Sequence, residues 1–249
     1  MKSLLRSFQT YFPWLHNLRF KIKLWKMKQF KSVHENDFAA LAKFKPKEDE
    51  VFIDIGSNRG EGIYSQFIGF GKPITIIGFE PNPLIYQKLK DAIGKLTNVE
   101  VHNIGLGSSS GEFDLFVPFY RKWMFDGLSS FYQKEAEDWL KKNMWNYKSQ
   151  LQSIKKVKCK VETLDSFNIK PYFMKLDVQG FEYEVLKGSI ETLKEHSPVL
   201  LIESISQEVM EYLKLMGYEF YTFQNERFTL GHESLNTFCI PKSKSEILV

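Results

Sequence analysis

From residue 51 onward, short runs rich in apolar and β-branched residues alternate with segments whose apolar residues recur every three or four positions. The short runs predict strands at 51–55, 74–79, 99–103, 172–176 and 199–203. The periodic segments predict helices at 58–70, 83–95, 181–186 and 206–216, two of them marked by Pro83 at the start and Gly217 at the end. Two further runs, 219–223 and 236–240, predict a closing antiparallel pair.

This alternation of strands and helices is typical of one α/β domain. Strands separated by helices of 10–15 residues form a mostly parallel sheet with helices on both faces, and we count seven strands around one core. An irregular stretch at about 105–168 interrupts the pattern, and its segment 113–147 contains eleven aromatic residues. We therefore expect an aromatic-rich insertion at about 113–158 that forms a lid over the site or, alternatively, a small separate core.

Residues 1–45 form a different unit, a basic N-terminal arm. Apolar residues recur at helical spacing from Leu4 to Trp25, and Pro13 divides them into two helices or starts the second. Residues 1–34 hold eight basic residues and no acidic one, whereas the rest of the chain has 26 basic and 30 acidic residues. We expect the arm to pack on the domain at 46–249 or on a partner subunit in a homodimer; the alternative is a peripheral membrane contact.

Composition narrows the function classes. The 249 residues are 43% apolar and 26% charged with a net charge of +4, which is typical of a soluble globular protein. No apolar run reaches the length of a membrane span or of a signal-peptide core, so we predict a cytoplasmic protein that is membrane-associated only if the arm binds lipid. The mildly acidic body does not favour a nucleic-acid partner. Two isolated cysteines and five scattered histidines predict no metal site.

The turn after the first strand is rich in glycine. It contains Gly56, Gly60 and Gly62 within the sequence DIGSNRGEG. Glycines there let the backbone approach a ligand and leave the N–H groups at the next helix start free. The spacing does not match the dinucleotide fingerprint G-x-G-x-x-G, and a phosphate-binding G-x-x-x-x-G-K-[ST] loop is absent, so neither nicotinamide nor ATP is favoured.

Polar residues at the ends of the first three strands suggest a nucleoside. Glu80 ends the second strand, where a carboxylate can accept hydrogen bonds from both ribose hydroxyls. Asn103 and Ile104 follow the third strand, where an adenine could lie, and Asp54 in the first strand could hold an ammonium group. S-adenosylmethionine has a sugar diol, an adenine and an amino-acid tail, and satisfies all of these positions.

The sequence resembles the FkbM family, a branch of the class I S-adenosylmethionine-dependent methyltransferases. The resemblance covers about residues 50–205 and lies in the segments VFIDIGSNRGEG, IIGFEPNP, NVEVHNIGLGSSSGEFDL, GLSSF, VETLDSF, MKLDVQGFEYEVLKG and PVLLIES. It implies a Rossmann-like sheet of seven strands with the last one antiparallel. It also implies O-methylation of a hydroxyl, often on a sugar, glycan or other small natural product.

Carried over by position, the resemblance assigns two groups of residues. The cofactor pocket would contain Asp54, Gly56, Ser57, Asn58, Gly60, Glu80, Pro81, Asn103 and Ile104, and the substrate side Asp177, Glu182 and Glu203. The family usually has D-V-E-G where this chain has Asp177-Val178-Gln179-Gly180. Since Gln179 cannot ionise, a base or a metal ligand at that position is not expected.

Methyl transfer to an alcohol requires a group that accepts the hydroxyl proton. We expect Asp177, at the end of the fourth strand, to be that base or to orient the hydroxyl; the alternative is that it orients the cofactor or caps the next helix. Glu203, at the end of the fifth strand, is the second candidate, and Glu182 has either a substrate contact or a structural role. Two rival functions remain, an RNA methyltransferase gripping its substrate with the basic arm and a non-catalytic binding module.

Overall fold

The structure is a computed structural model that describes residues 2–94, 96–232 and 235–248. Two sheets are present in the described residues, and their strands are numbered in chain order. The strands are β1 (Val51–Ile55), β2 (Ile76–Phe79), β3 (Val99–His102), β4 (Gly105–Leu106), β5 (Gly111–Tyr120), β6 (Trp123–Met124), β7 (Gln152–Glu162), β8 (Pro171–Leu176), β9 (Val199–Glu203), β10 (Tyr218–Gln224), β11 (Arg227–Leu230) and β12 (Asn236–Pro241).

The central sheet has eight strands in the order β11-β10-β12-β9-β8-β1-β2-β3. The strands from β9 to β3 are parallel to their neighbours, whereas β12 is antiparallel to β9 and to β10. The predicted α/β class and the closing antiparallel pair are thus confirmed. After β3 the chain returns to β8 on the other side of β1, so the carboxyl end of β1 is the switch point where open sheets of this type bind ligands.

The eighth strand, β11, was not predicted. It pairs with β10 in a hairpin whose two loop residues, Asn225 and Glu226, both have positive φ. That conformation gives the backbone twist favoured in two-residue hairpins, but its usual sequence signal is Asn-Gly or Asp-Gly. The second loop residue of this hairpin is Glu226 rather than glycine, so the sequence lacks the usual hairpin signal and does not predict β11.

Helices cover both faces of the central sheet, and eight α-helices are present in the described residues. They are α1 (Lys2–Gln9), α2 (Trp14–Phe30), α3 (Glu61–Phe70), α4 (Pro83–Ile93), α5 (Gln133–Asn143), α6 (Glu182–Lys187), α7 (Ile190–His196) and α8 (Gln207–Leu215). Helix α3 begins three residues later than predicted, because Asn58 and Gly60 have positive φ. The predicted end of α4 at Lys95 lies outside the described residues. Helix α7 was not predicted.

Successive side chains of β1 pack into two different hydrophobic cores, one on each face of the central sheet. Phe52 packs with Phe38, Phe44 and Phe173 in one core, which the 3₁₀ helix Asn36–Lys43 and α3 cover. Ile53 points to the opposite face, into a core that contains side chains of α6, α7 and α8. Since both faces are covered, the strands in the middle of the sheet carry the nearly continuous apolar runs seen in the sequence.

The stretch at 105–168, expected to be irregular, is mostly regular structure. It contains a second sheet of four strands in the order β4-β7-β5-β6, in which β5 and β7 form a long antiparallel pair over ten register positions. Helix α5 lies between them in the chain and contacts β5. The alternation Lys156-Val157-Lys158-Cys159-Lys160-Val161 is a strand pattern with one exposed face, and this signal was available in the sequence.

The N-terminal arm forms the two helices predicted on either side of Pro13, but its apolar stripe is largely exposed. Leu24 and Met27 are buried, whereas Phe8, Trp14 and Trp25 are 60%, 66% and 55% exposed. The arm therefore contacts the domain through a different set of residues from the stripe that was expected to pack. Across the described part of the chain, no helix combines the length and the apolar character needed to cross a bilayer.

Candidate functional site

A cleft opens where the carboxyl ends of β1, β2 and β8 meet. Its floor and one wall include Gly56 and Asn58 after β1, Glu80 and Pro81 after β2, and Asp177 after β8. Ile104, which follows β3, also lines it. These six residues, all predicted from the sequence, are brought together because parallel strands end at the same edge of the sheet.

The glycine turn brings two strand ends into direct contact. Gly56 has φ +83°, and a Cβ on this residue would lie 1.9 Å from the carbonyl oxygen of Asp177. Only glycine therefore allows the turn after β1 to pass this close to the segment after β8. Gly60, with φ +93°, packs instead beneath Leu89 and Ile93 of α4, outside the cleft lining.

Glu80 is held in one orientation by backbone groups. Its Oε2 accepts a hydrogen bond from the N–H of Asn58 and its Oε1 one from the N–H of Asn82, both at 2.7 Å. The carboxyl is 6% exposed, and burial raises the pKa of Glu80 to about 7 despite these two bonds. Each oxygen keeps acceptor capacity, so the group can receive two donors from a ligand diol.

Three predicted pocket residues support the cleft from behind. Asp54 is fully buried and accepts a hydrogen bond from Gln66 at 3.0 Å, beneath the start of α3. The Ser57 hydroxyl donates to the carbonyl of Asp54 at 2.8 Å, and the Asn103 amide donates to the carbonyl of Glu80 at 2.8 Å. These side chains fix the turns after β1 and β2, and they are not among the cleft-lining residues.

The insertion supplies the other wall of the cleft. Leu115, Gly127, Ser129 and Phe131 line it, together with Asp126. Gly127, Ser129 and Phe131 belong to the GLSSF segment and Leu115 ends the GEFDL segment, both part of the family resemblance, whereas Asp126 was not predicted. The cavity volume of the cleft is about 50 Å³, far below the roughly 300–1,000 Å³ of ligand pockets.

On the β8 side of the cleft, four polar side chains form a connected cluster. Lys175 Nζ lies 3.2 Å from Oδ2 of Asp177, and the Gln179 amide donates to Oδ1 of Asp177 at 2.8 Å. The same amide reaches Oε2 of Glu203 at 3.3 Å, and Asp177 and Glu203 share a hydrogen bond. Gln179 adopts a positive φ of 50°, which turns its side chain back toward both carboxyl groups.

The two carboxyl groups of this cluster hold one proton between them. Burial opposes ionisation of Asp177, but the charge of Lys175 and the hydrogen bonds from its neighbours outweigh it and lower the pKa of Asp177. Burial and the adjacent Asp177 raise the pKa of Glu203 to about 9. At neutral pH Asp177 is therefore the carboxylate and Glu203 the carboxylic acid that donates to it.

Glu182 faces the backbone of the loop after β8. Its Oε1 accepts hydrogen bonds from the N–H groups of Val178 at 3.3 Å and Gly180 at 3.2 Å. Burial raises the pKa of Glu182, in spite of these bonds. The side chain thus holds the loop that carries Gln179, and Glu182 is absent from the cleft lining.

The donor and acceptor set fits S-adenosylmethionine. Glu80 presents an oriented carboxyl for a ribose diol, and Gly56 leaves room beside the backbone of Asp177. Asn58 Oδ1 is a buried acceptor with no hydrogen-bond partner among the described residues, so it is available to a ligand donor. In the same residues, no group of three or more His, Cys, Asp or Glu side chains is arranged to hold a metal ion.

Comparisons with known proteins agree with this geometry. The methyltransferase FkbM domain matches residues 54–220 of the chain. The crystal structure of an FkbM methyltransferase from Methylobacillus flagellatus KT superposes with a TM-score of 0.52 at 16% identity, covering 82% of this chain and 48% of that one. This chain thus spans about half the length of that protein. No curated protein matches the chain.

Two further solved structures show weaker similarity. An S-adenosylmethionine-dependent O-methyltransferase from Thermotoga maritima has a TM-score of 0.45 at 10% identity, covering 88% of this chain and 70% of that one. Fibrillarin from Aeropyrum pernix, solved with bound S-adenosylmethionine, has a TM-score of 0.39 at 14% identity, covering 81% and 71%.

Proposed function

The chain belongs to the FkbM methyltransferase family, which depends on S-adenosylmethionine, and we propose that it methylates a hydroxyl group of a sugar, a glycan or another small natural-product acceptor. The observation that carries this proposal is the placement of Asp177 in the same cleft as Glu80. One side of the cleft thus offers an acceptor for a ribose diol, and the other offers a carboxylate for an alcohol proton.

Bound S-adenosylmethionine supplies a methyl group on a sulfonium, a leaving group that needs no further activation. The protein then has to orient the acceptor oxygen and receive its proton. Asp177 supports both tasks, since it is ionised and Lys175, Gln179 and Glu203 fix its position. When the acceptor oxygen attacks the methyl carbon, the carbon–sulfur bond would break and S-adenosylhomocysteine would leave as the neutral thioether. The hydroxyl proton would pass to Asp177, so that the Asp177–Glu203 pair would then hold two protons.

A screen of acceptors with radiolabelled methyl donor tests this function. The panel contains free sugars, lipid-linked glycans and RNA, with Asp177→Asn as the control variant. Label transferred to a sugar or glycan by the wild-type protein, and lost in Asp177→Asn, supports the proposal. Label transferred to RNA alone, or no transfer to any acceptor by a protein that binds S-adenosylmethionine, contradicts it.

A further inference from the structure

A second chamber adjoins the cofactor cleft, between the arm and the insertion. Asn58, Asp126 and Gly127 line both cavities. The arm adds Arg6, Arg19 and Lys23 to the chamber, and the insertion adds Trp123 and Trp139. Its volume of about 300 Å³ is within the range of small-molecule pockets, unlike that of the cleft. We call it the arm chamber.

The charges around the arm chamber do not cancel. Lys23 pairs with Glu61 at 2.6 Å, and Arg59 pairs with Asp126, which His16 also contacts. Neither Arg6 nor Arg19 makes a salt bridge within the described residues. The two guanidinium groups are close enough for the charge of Arg19 to add to burial in lowering the pKa of Arg6.

Each of these guanidinium groups keeps most of its donors. One N–H of Arg6 donates to the carbonyl of Asn143 at 3.0 Å, and one of Arg19 donates to Gln9 at 2.6 Å. The plane of Arg6 is fixed over the ring of Trp139, 4.4 Å from its centroid. A guanidinium has five N–H donors in a planar fork that matches the oxygens of a carboxylate or phosphate.

We propose that the arm chamber binds an anionic group of the methyl acceptor, a carboxylate or a phosphate, through Arg6 and Arg19. This proposal rests on the methyltransferase function, and it narrows the acceptor class to anionic hydroxylated compounds. The arm is then part of the substrate site.

Calorimetric binding separates this proposal from the activity itself. The probes are glucose, glucuronate and glucose 6-phosphate, titrated at low salt into protein saturated with S-adenosylhomocysteine. The double variant Arg6→Gln/Arg19→Gln removes the two guanidinium groups. The matched control Lys21→Gln/Lys26→Gln removes two charges from the same arm at exposed positions.

We expect one or both anionic probes to bind the wild-type protein and the control variant, and glucose to bind at least about 10-fold more weakly. The ratio of the two anions identifies carboxylate or phosphate as the preferred group. Affinity should fall at least about 10-fold in the arginine double variant. If the double variant does not fold, the single variant Arg19→Gln replaces it, since Arg19 is exposed. We expect this single variant also to bind the anions more weakly than the wild-type protein.

Equal anion affinity in the two double variants overturns the proposal, as does a failure of both anions to bind the wild-type protein. Binding of S-adenosylhomocysteine, measured in the same titrations without probe, reports on the cofactor site alone. If the protein binds S-adenosylhomocysteine but neither anion, the proposal of an anion site in the arm chamber is wrong, while the proposed methyltransferase function is unaffected.

A separate observation concerns the exposed apolar side chains of the arm. Of the fifteen large apolar side chains that are exposed in the described residues, ten lie in the arm. They are Leu4, Leu5, Phe8, Tyr11, Phe12, Trp14, Leu18, Ile22, Trp25 and Phe30. The first 34 residues contain eight basic and no acidic residues. Exposed aromatic and leucine side chains beside lysine and arginine match a surface of anionic lipid, which offers acyl chains and negative headgroups together.

We infer that the arm binds an anionic membrane surface through exposed side chains of this set, Phe8 and Trp14 among them. Flotation with phosphatidylglycerol and phosphatidylcholine vesicles tests this. Phe8→Ser/Trp14→Ser removes two of the side chains, and the control Leu215→Ser/Leu230→Ser removes two exposed leucines, 90% and 73% exposed, outside the arm. We expect binding to phosphatidylglycerol only, weakened by salt and reduced at least about 10-fold in the arm variant alone.

Absence of flotation overturns this inference, and so does equal loss in both variants. Light scattering tests the alternative occupant, a second copy of the chain. A wild-type dimer that becomes a monomer in Phe8→Ser/Trp14→Ser would show that these side chains form a dimer interface, and it would overturn the membrane inference.

Discussion

Glu80 combines burial with two backbone hydrogen bonds, and this combination sets the pH range in which it can bind a diol. The pKa of its carboxyl is raised to about 7, so the carboxylate forms as the pH rises through neutrality. Since ribose hydroxyls donate to the carboxylate, affinity for S-adenosylhomocysteine should increase about tenfold from about pH 6 to about pH 8. Calorimetry across this range measures the change.

The control for this prediction is Glu80→Gln, which keeps the shape of the side chain but does not titrate. It should bind the nucleoside more weakly, and its affinity should be flat with pH over the same range. A wild-type profile that is also flat would show that Glu80 does not contact the ligand.

Asp177 and Glu203 differ in protonation, and this distinguishes their roles. Since Glu203 is protonated at neutral pH, Glu203→Gln preserves its hydrogen bond to Asp177 and should retain most of the turnover near pH 7. Asp177→Asn removes the carboxylate and should lower turnover at least about 100-fold, with little change in cofactor affinity. Steady-state kinetics and calorimetry measure both. The reverse ranking of the two variants would make Glu203 the base.

At the scale of elements, the turn after β1 is the tightest contact of the site. Gly56→Ala would place a Cβ 1.9 Å from the carbonyl oxygen of Asp177, at a φ of +83°. Gly71→Ala has a similar φ of +69° but nothing within 4 Å, so it measures backbone strain alone, about 1 kcal/mol. We expect Gly56→Ala to lose more stability than Gly71→Ala in urea denaturation and to abolish cofactor binding. Equal losses would contradict the close approach.

The sequence predicted the elements in which burial of the strand or helix determines the order of apolar and polar residues. Strands β1 and β9 have the predicted boundaries, because each is an apolar run covered on both faces. Strand β7 was not predicted, although its alternation of lysine with valine and cysteine is a strand pattern with one exposed face. The exposed arm could not be predicted, since helical periodicity gives the apolar face of a helix but not the surface that this face meets.

Some residues of the candidate site could also be predicted from the sequence, and others could not. Glu80 and Asp177 end strands, and position in a parallel sheet is sufficient to bring such residues together. Asp126 lines the cleft from the insertion, 67 positions from its partner Arg59, and no periodicity relates the two. The sequence indicated that Gln179 cannot act as a base and that its amide could orient a substrate hydroxyl. The structure shows this amide bridging Asp177 and Glu203.

At the scale of the whole molecule, one polar cluster around the buried Arg59 joins three parts of the chain. Arg59 belongs to the turn after β1, Asp126 to the insertion, and His16 and Asn17 to the arm. Besides its ion pair with Asp126, Arg59 donates to Asn17 at 2.9 Å and lies 3.2 Å from Nδ1 of His16. Asp126 also lines the cleft and the arm chamber, so this cluster connects the arm to the walls of both cavities.

Loss of Arg59 should therefore affect stability and binding together. Arg59→Met leaves Asp126, 9% exposed, without its main cationic partner, and breaking a buried pair in this way costs about 3–5 kcal/mol of unfolding free energy. The control Lys170→Met breaks the exposed pair of Lys170 with Asp49, 2.8 Å apart, and should change stability little. Urea denaturation measures both, and calorimetry with S-adenosylhomocysteine should show weaker binding only in Arg59→Met. If the two variants are equally stable, the cluster does not hold the arm and the insertion to the sheet.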